Sequence, residues 1–267
     1  MNVDLLLDPF GADWRDVCDT ARAAADAGFD GIWMWDHLDG RVHGAAHILE
    51  CWTTLTAIAT SVPQEIMIGP LVLNVANRRP GVLATMAATL QHVSGGRLLL
   101  GLGAGGGAAT PYAREQYATG GPVPSDAVRR EQVVDCIETV RRLWKTPGFL
   151  QPTPPPPFVV GAFGPKMAEV AGRVGDGINT QAWHPQLDRM LDVARAAHAD
   201  AGRDPEDLLT TVFAGYDARW LRADSPPYAR LVDHGVHRLI LLVHAPYDRA
   251  AISAAGELLR DERKGSA

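Results

Sequence analysis

Cysteine is scarce in this chain. Its three residues, Cys18, Cys51 and Cys136, lie far apart and form no CxxC pair. That spacing argues against a disulfide framework and a thiolate zinc site, and it fits a reducing compartment. Long apolar runs are missing too. No segment approaches the roughly 18 consecutive apolar residues that a membrane span requires. The opening MNVDLLLDPFGADW sets Asp4 and Asp8 around a short apolar run, unlike a secretory signal. Nor is there a run of lysine or arginine. With 25 basic against 31 acidic residues the formal net charge is −6, so neither a nucleic-acid partner nor an anionic membrane surface is expected. The expectation is a cytoplasmic protein acting on a small-molecule substrate.

What the chain has in quantity is alternation. Hydrophobic residues make up 46% of the 267, enough for one large core. Short β-rich runs are each followed by a stretch of helical periodicity. VDLLL (3–7) precedes DWRDVCDTARAAADAG, where Val17, Ala21 and Ala24 form an inward stripe and Gly28 stops the helix. GIWMW precedes LECWTTLTAIAT, and IMIGPLVLN precedes PGVLATMAATLQHV, with Pro80 in a helix first turn. RLLLGLGAG precedes, after a long loop, SDAVRREQVVDCIETVRRLW, which Ser125 is placed to cap. Four further pairs follow, beginning at PFVVGAF, DGINTQ, LLTTVFAGYD and HRLILLVH. Eight strands alternating with eight helices predict an α/β chain of parallel strands closed into a (β/α)8 TIM barrel, with an open doubly wound sheet as the alternative. The proline-rich TPGFLQPTPPPPF (146–158) reads as a connector, so residues 1–267 are expected to form a single domain.

Active sites of such barrels assemble from loops at the carboxyl-terminal rim. Asp36 and His37 end the second strand. Neighbours on a strand point to opposite faces, so both reach one pocket only if the strand stops there; the plain alternative is a solvent-facing strand end. In RLLLGLGAGGG, Gly101, Gly103 and Gly106 satisfy GxGxxG, but no helix opens at once and the unit is the fourth, which argues against a Rossmann dinucleotide site. The glycines suit a loop packed against a flat ring, or a merely flexible loop. VVGAFGPKM is different. A strand, a short turn and Pro165 opening a helix make a ready anion site, with Lys166 adding charge; the alternative is an ordinary βα turn. Asn74 ends the third strand before Arg78 and Arg79, which are either solvated or face a carboxylate-rich ligand tail. His37, His184 and His244 lie near different strand ends, yet no HxH follows the first strand and no lysine ends the fourth, so no metal is expected. There is no GxSxG for a nucleophilic serine.

Together AGFDGIWMWDHL, ECWTTLTAIAT, IGPLVLN, RPGVLATMAATLQHVSGGRLLLGLGAG, RREQVVDCIETVRRLW and VVGAFGPKMAEVAGRVGDGINT resemble the luciferase-like monooxygenase superfamily, in particular its deazaflavin-dependent oxidoreductases. The resemblance implies that Asp36 touches the ring or its polyol and that His37 is catalytic, donating or accepting a proton over the ring. It implies a bulged third strand with a non-proline cis peptide at Leu71–Val72 against the ring, and Asn74 at a ring-contacting position. Ala104, Gly105 and Gly106 would line the cofactor, while Gly161, Gly164, Pro165 and Lys166 would hold its phosphate. The implied cofactor is coenzyme F420, with hydride transfer to or from a small organic substrate. The alternative is FMN, delivered reduced to a monooxygenase; a third reading is a barrel that binds a flavin without turnover. A homodimer is likewise implied. Two departures stand out: the family's sugar-phosphate dehydrogenases carry glutamate where this chain has Gly106, and the segment before the fifth strand is short. That sugar-phosphate reaction is therefore not expected.

Overall fold

The computed structural model describes residues 1–265, with side chains through residue 260. Each apolar run forms a strand and each periodic stretch a helix. The order is β1 (Asn2–Leu7), α1 (Trp14–Ala27), β2 (Gly31–Met34), α2 (Cys51–Ala59), β3 (Met67–Pro70), β4 (Leu73–Asn74), α3 (Pro80–Val93), β5 (Leu100–Gly103), α4 (Ala113–Ala118) and α5 (Asp126–Leu143). Then come β6 (Phe158–Gly161), α6 (Pro165–Val174), β7 (Gly177–Gln181), α7 (Leu187–Asp200), β8 (Leu209–Gly215), α8 (Pro226–Asp233), β9 (Arg238–Val243) and α9 (Arg249–Gly265). Gly28 ends α1 as expected, in the left-handed region at φ 94°, donating to the carbonyls of Ala24 and Ala25. Ser125 does occupy the N-cap of α5, but its hydroxyl makes no capping bond. No helix among the described residues is long and apolar enough to cross a membrane.

All strands pair in parallel, in the order β3-β2-β1-β9-β8-β7-β6-β5-β4. The nine strands are eight staves. The run expected as one third strand is parted at Leu71–Val72, whose peptide is cis, into β3 below and β4 above. Its lower half closes the ring: Ile68 N donates to Arg97 O at 3.0 Å and Leu99 N to Ile68 O at 2.8 Å. Its upper half pairs with β5 through Leu73 opposite Leu102. The result is the expected (β/α)8 barrel.

Alternation along the staves divides the apolar residues between two cores. One set packs between staves and helices; Leu6, Trp33, Leu71, Leu99 and Ile240 form a separate cluster inside the ring. Trp33 is fully buried there, and a Cβ on Gly69 would lie 2.7 Å from its ring, so the glycine makes room for the indole. Burying an indole removes about 200 Å² from water, worth about 5 kcal/mol. Below it Asp4 accepts from Trp33 Nε1 at 2.8 Å and takes a two-bond Arg238 fork, each bond 2.7 Å. Burial pushes the Asp4 carboxyl up despite that arginine. The amino-terminal end of the barrel is thus plugged, which leaves the carboxyl-terminal rim to hold a ligand.

Candidate active site

β2 stops at Met34, so Trp35, Asp36 and His37 follow at the rim with freed backbone. Their fates differ. The Asp36 side chain has no exposed surface. Arg78 forks onto it at 2.7 and 2.8 Å, and Asn74 N–H adds a third bond at 2.9 Å. Buried and holding three hydrogen bonds, this carboxylate ties the second stave to Asn74 and Arg78 at the rim. Arg78 also reaches Glu50 at 2.6 Å, so neither alternative drawn from the sequence describes it. Burial pulls the Arg78 guanidinium down, but the two carboxylates outweigh it and raise its pKa above the ordinary arginine value.

His37 is one-fifth exposed, and its Nδ1 lies 3.1 Å from Glu115 Oε2. Glu115 comes from α4, a short helix inside the loop that the sequence left without structure. The same helix approach brings Tyr112 onto the imidazole, with ring centroids 5.2 Å apart and planes at 25°. Phe10 supports the ring from another side at 5.3 Å. His43 stands among these rings, 5.7 Å from Trp35 and stacked on it at 17°. Burial, then the neighbouring His37, lowers the His43 pKa and favours its neutral form.

The glycines of the fourth and fifth staves, β5 and β6, admit one side chain. Ideal Cβ atoms on Gly103 and Gly161 would lie 2.6 and 2.9 Å from Val72 Cγ2, and one on Gly101 3.1 Å from its Cγ1. Val72 therefore wedges inward between two staves, while Leu71 turns down into the barrel core. Gly105, at φ 67°, lies against the Asn74 amide, where a Cβ would be 2.5 Å away. Asn74 spends that amide locally, its Oδ1 accepting from Ala76 N at 3.0 Å. Arg129 of α5 ties the loop down by donating to the carbonyls of Ala104 (3.0 Å) and Gly105. Gly106 lets the chain double back: a Cβ would meet Thr110 and Tyr112 at 2.5 Å.

Beyond Gly161, Gly164 is the N-cap and Pro165 the first residue of α6. The N–H groups of Phe163, Gly164 and Lys166 find no acceptor among the described residues, and nothing lies within 4 Å of a Cβ on Gly164. With the exposed Lys166 beside them, these groups fit a phosphate. All these segments end parallel staves and so share one rim. Asp36 bonds to Asn74, Asn74 lies against Gly105, and Val72 contacts Gly161. His37 joins them through Tyr112, which stacks on its ring and lies 2.5 Å from where a Cβ on Gly106 would stand.

His244 closes the rim on the other side of Trp35, its Nδ1 2.6 Å from Asp8 Oδ2. His184 instead accepts from Gln186 N at 3.0 Å at the start of α7. Among the described residues no three His, Cys, Asp or Glu side chains converge as metal ligands. Sequence reasoning missed Glu115, Tyr112 and Arg129. Arg129 alone leaves a signal, a charge four residues before Val133 on the apolar face of its helix.

Relatives bear on this rim. The chain is 30% identical over 203 residues to the F420-dependent hydroxymycolic acid dehydrogenase of Mycobacterium tuberculosis, covering 70% of this chain and 55% of that protein. It is 30% identical over 200 residues to the 5,10-methylenetetrahydromethanopterin reductase of Methanolobus tindarius, covering 73% and 59%. The chain thus spans less than two thirds of either relative. A solved F420-dependent secondary alcohol dehydrogenase, in complex with an F420-acetone adduct, superposes with a TM-score of 0.80 at 20% identity, covering 96% of this chain and 97% of that one. That likeness shows the fold. The family model for luciferase-like monooxygenases matches residues 4–216, from within β1 to just past β8, and this chain belongs to that family.

Proposed function

We propose that this protein is an oxidoreductase that uses coenzyme F420 to move hydride to or from a small organic substrate bearing an alcohol or carbonyl. The observation that carries the reading is the shared rim: an imidazole on a carboxylate at one side, and at the other a Val72 wedge beside an unpaired anion cradle. A flat phosphorylated heterocycle fits both halves. The relatives whose names state an F420 dependence support deazaflavin over FMN.

When bound, the deazaflavin supplies the hydride acceptor or donor. This chain's residues do the rest. The N–H groups at the start of α6 and Lys166 would bind the phosphate. Val72 would offer the ring an apolar surface, and Arg129 holds the glycine loop down by its carbonyls. Phe10, Trp35 and Tyr112 keep water from the reacting face. His37 would take the hydroxyl proton when an alcohol is oxidised and return it to the oxygen when a carbonyl is reduced. Proton and hydride then balance the two-electron change.

The test is spectrophotometric. A panel of secondary alcohols and ketones is offered with oxidised or reduced coenzyme F420, and the visible deazaflavin band is followed. His37→Ala is expected to keep coenzyme affinity within about threefold while losing about 100-fold or more in turnover. Undiminished turnover would remove His37 from the chemistry.

A further inference from the structure

We infer that Glu115 is a positioning residue that decides which ring nitrogen of His37 carries the proton. The inference rests on His37 as the proton-handling group, and it adds a partner and a direction. Glu115 is 5% exposed although it sits in the long loop after β5. Its Oε2 meets His37 Nδ1 at 3.1 Å, while Oε1 accepts from Leu38 N at 3.2 Å and Asp39 N at 3.3 Å. No lysine or arginine joins this carboxylate through an ion pair among the described residues. A buried carboxylate is costly unless its oxygens are used, and here the imidazole uses one of them.

An ionised carboxylate only accepts hydrogen bonds. Nδ1 of His37 must therefore be the protonated nitrogen of the neutral ring, which leaves Nε2 bare. Neutral His37 thus accepts a proton at Nε2, and protonated His37 gives it back from the same atom. Tyr112, three residues before Glu115, stacks on the ring and limits its rotation. The loop closes behind them, Gln116 Nε2 donating to the Pro122 carbonyl. α4 therefore joins the folding of a substrate-side loop to the protonation pattern of the imidazole.

A bland role exists for the same carboxylate: anchoring the loop through the Leu38 and Asp39 amides alone. Glu115→Gln separates the two. Its amide oxygen still accepts from those two N–H groups, which turns its NH2 toward His37 Nδ1. Nδ1 must then become an acceptor, and the proton moves to Nε2. Nitrogen-15 NMR of the full-length apoprotein, at alkaline pH where imidazoles are neutral, reads the tautomer directly. The His37 signals are identified among the nine histidines by their loss in His37→Asn.

The expected result is the Nδ1–H tautomer in the wild type and the Nε2–H tautomer in Glu115→Gln. A wild-type Nε2–H tautomer overturns the inference even if the variant fails to fold, and so does a variant that keeps Nδ1–H. In turnover, Glu115→Gln is expected to lower kcat about 10- to 100-fold with KM within about threefold, and Glu115→Asp to recover part of the loss. Unchanged kcat in Glu115→Gln also overturns it, provided His37→Ala is inactive. If His37→Ala stays active, the proposed function of His37 has failed instead, whereas the tautomer measurement on apoprotein stands by itself.

Discussion

Replacing Arg78 by Met tests the rim where it is most tightly built. Methionine fills much of the arginine's volume but deprives Asp36 of both guanidinium bonds. The Asp36 side chain has no exposed surface, so its carboxylate would keep only the Asn74 N–H at 2.9 Å. Glu50, 40% exposed, turns to water at little cost. The loss therefore falls on Asp36, and breaking a buried pair in this way costs about 3–5 kcal/mol. For a chain of this size that lowers Tm by about 10 °C. Urea unfolding followed by circular dichroism and tryptophan fluorescence gives the free energy. Asp36→Asn in the Arg78→Met background removes the stranded charge but keeps an oxygen for Asn74, and is expected to recover about 2 kcal/mol. A single-variant loss below about 1 kcal/mol, or a double variant no more stable than the single, would refute the role given to this pair.

Gly103→Ala puts a Cβ 2.6 Å from Val72 Cγ2, a side chain confined by Gly161 on its other side. It is expected to cost about 1–3 kcal/mol and to weaken coenzyme binding about tenfold; Val72→Ala in the same chain relieves the clash and is expected to restore much of the stability but not the affinity, which calorimetry reads. For pH, Thr210 N donates to His237 Nδ1 at 3.0 Å, a bond that needs this nitrogen bare. Burial, then the Arg195 charge, lowers the His237 pKa below its ordinary 6.5. The unfolded chain therefore takes up the proton first. Stability from this group is whole above that ordinary value and declines as pH falls toward the lowered one. His237→Gln is expected to flatten that decline in urea midpoints, and identical pH slopes for both proteins would contradict the assignment.

The barrel was legible because its signal is local. Helical and strand periodicities stand in short windows, and Gly28 and Pro80 mark their boundaries where expected. The division of the third stave left no periodic trace; only the likeness to a known family pointed to Leu71–Val72. α4 escaped because six residues between glycines and prolines are too few to show a period. The rim contacts escaped for a different reason. His37 and Glu115 are 78 residues apart, and Asp36 and Arg78 are 42 apart. Both members of each pair are plain in the sequence, but only the closed ring brings them together. The family likeness pointed to Asp36 as a ligand contact, and nothing near it in sequence announced that its carboxylate holds Arg78.

The central claim is that this rim is shaped for a deazaflavin. Isothermal titration of the apoprotein with coenzyme F420 and with FMN, each oxidised and reduced, tests it most directly. The expected result is one coenzyme F420 bound per chain, with affinity at least about tenfold above that for FMN in both redox states. FMN binding as tightly or more tightly, or neither compound binding, would contradict it.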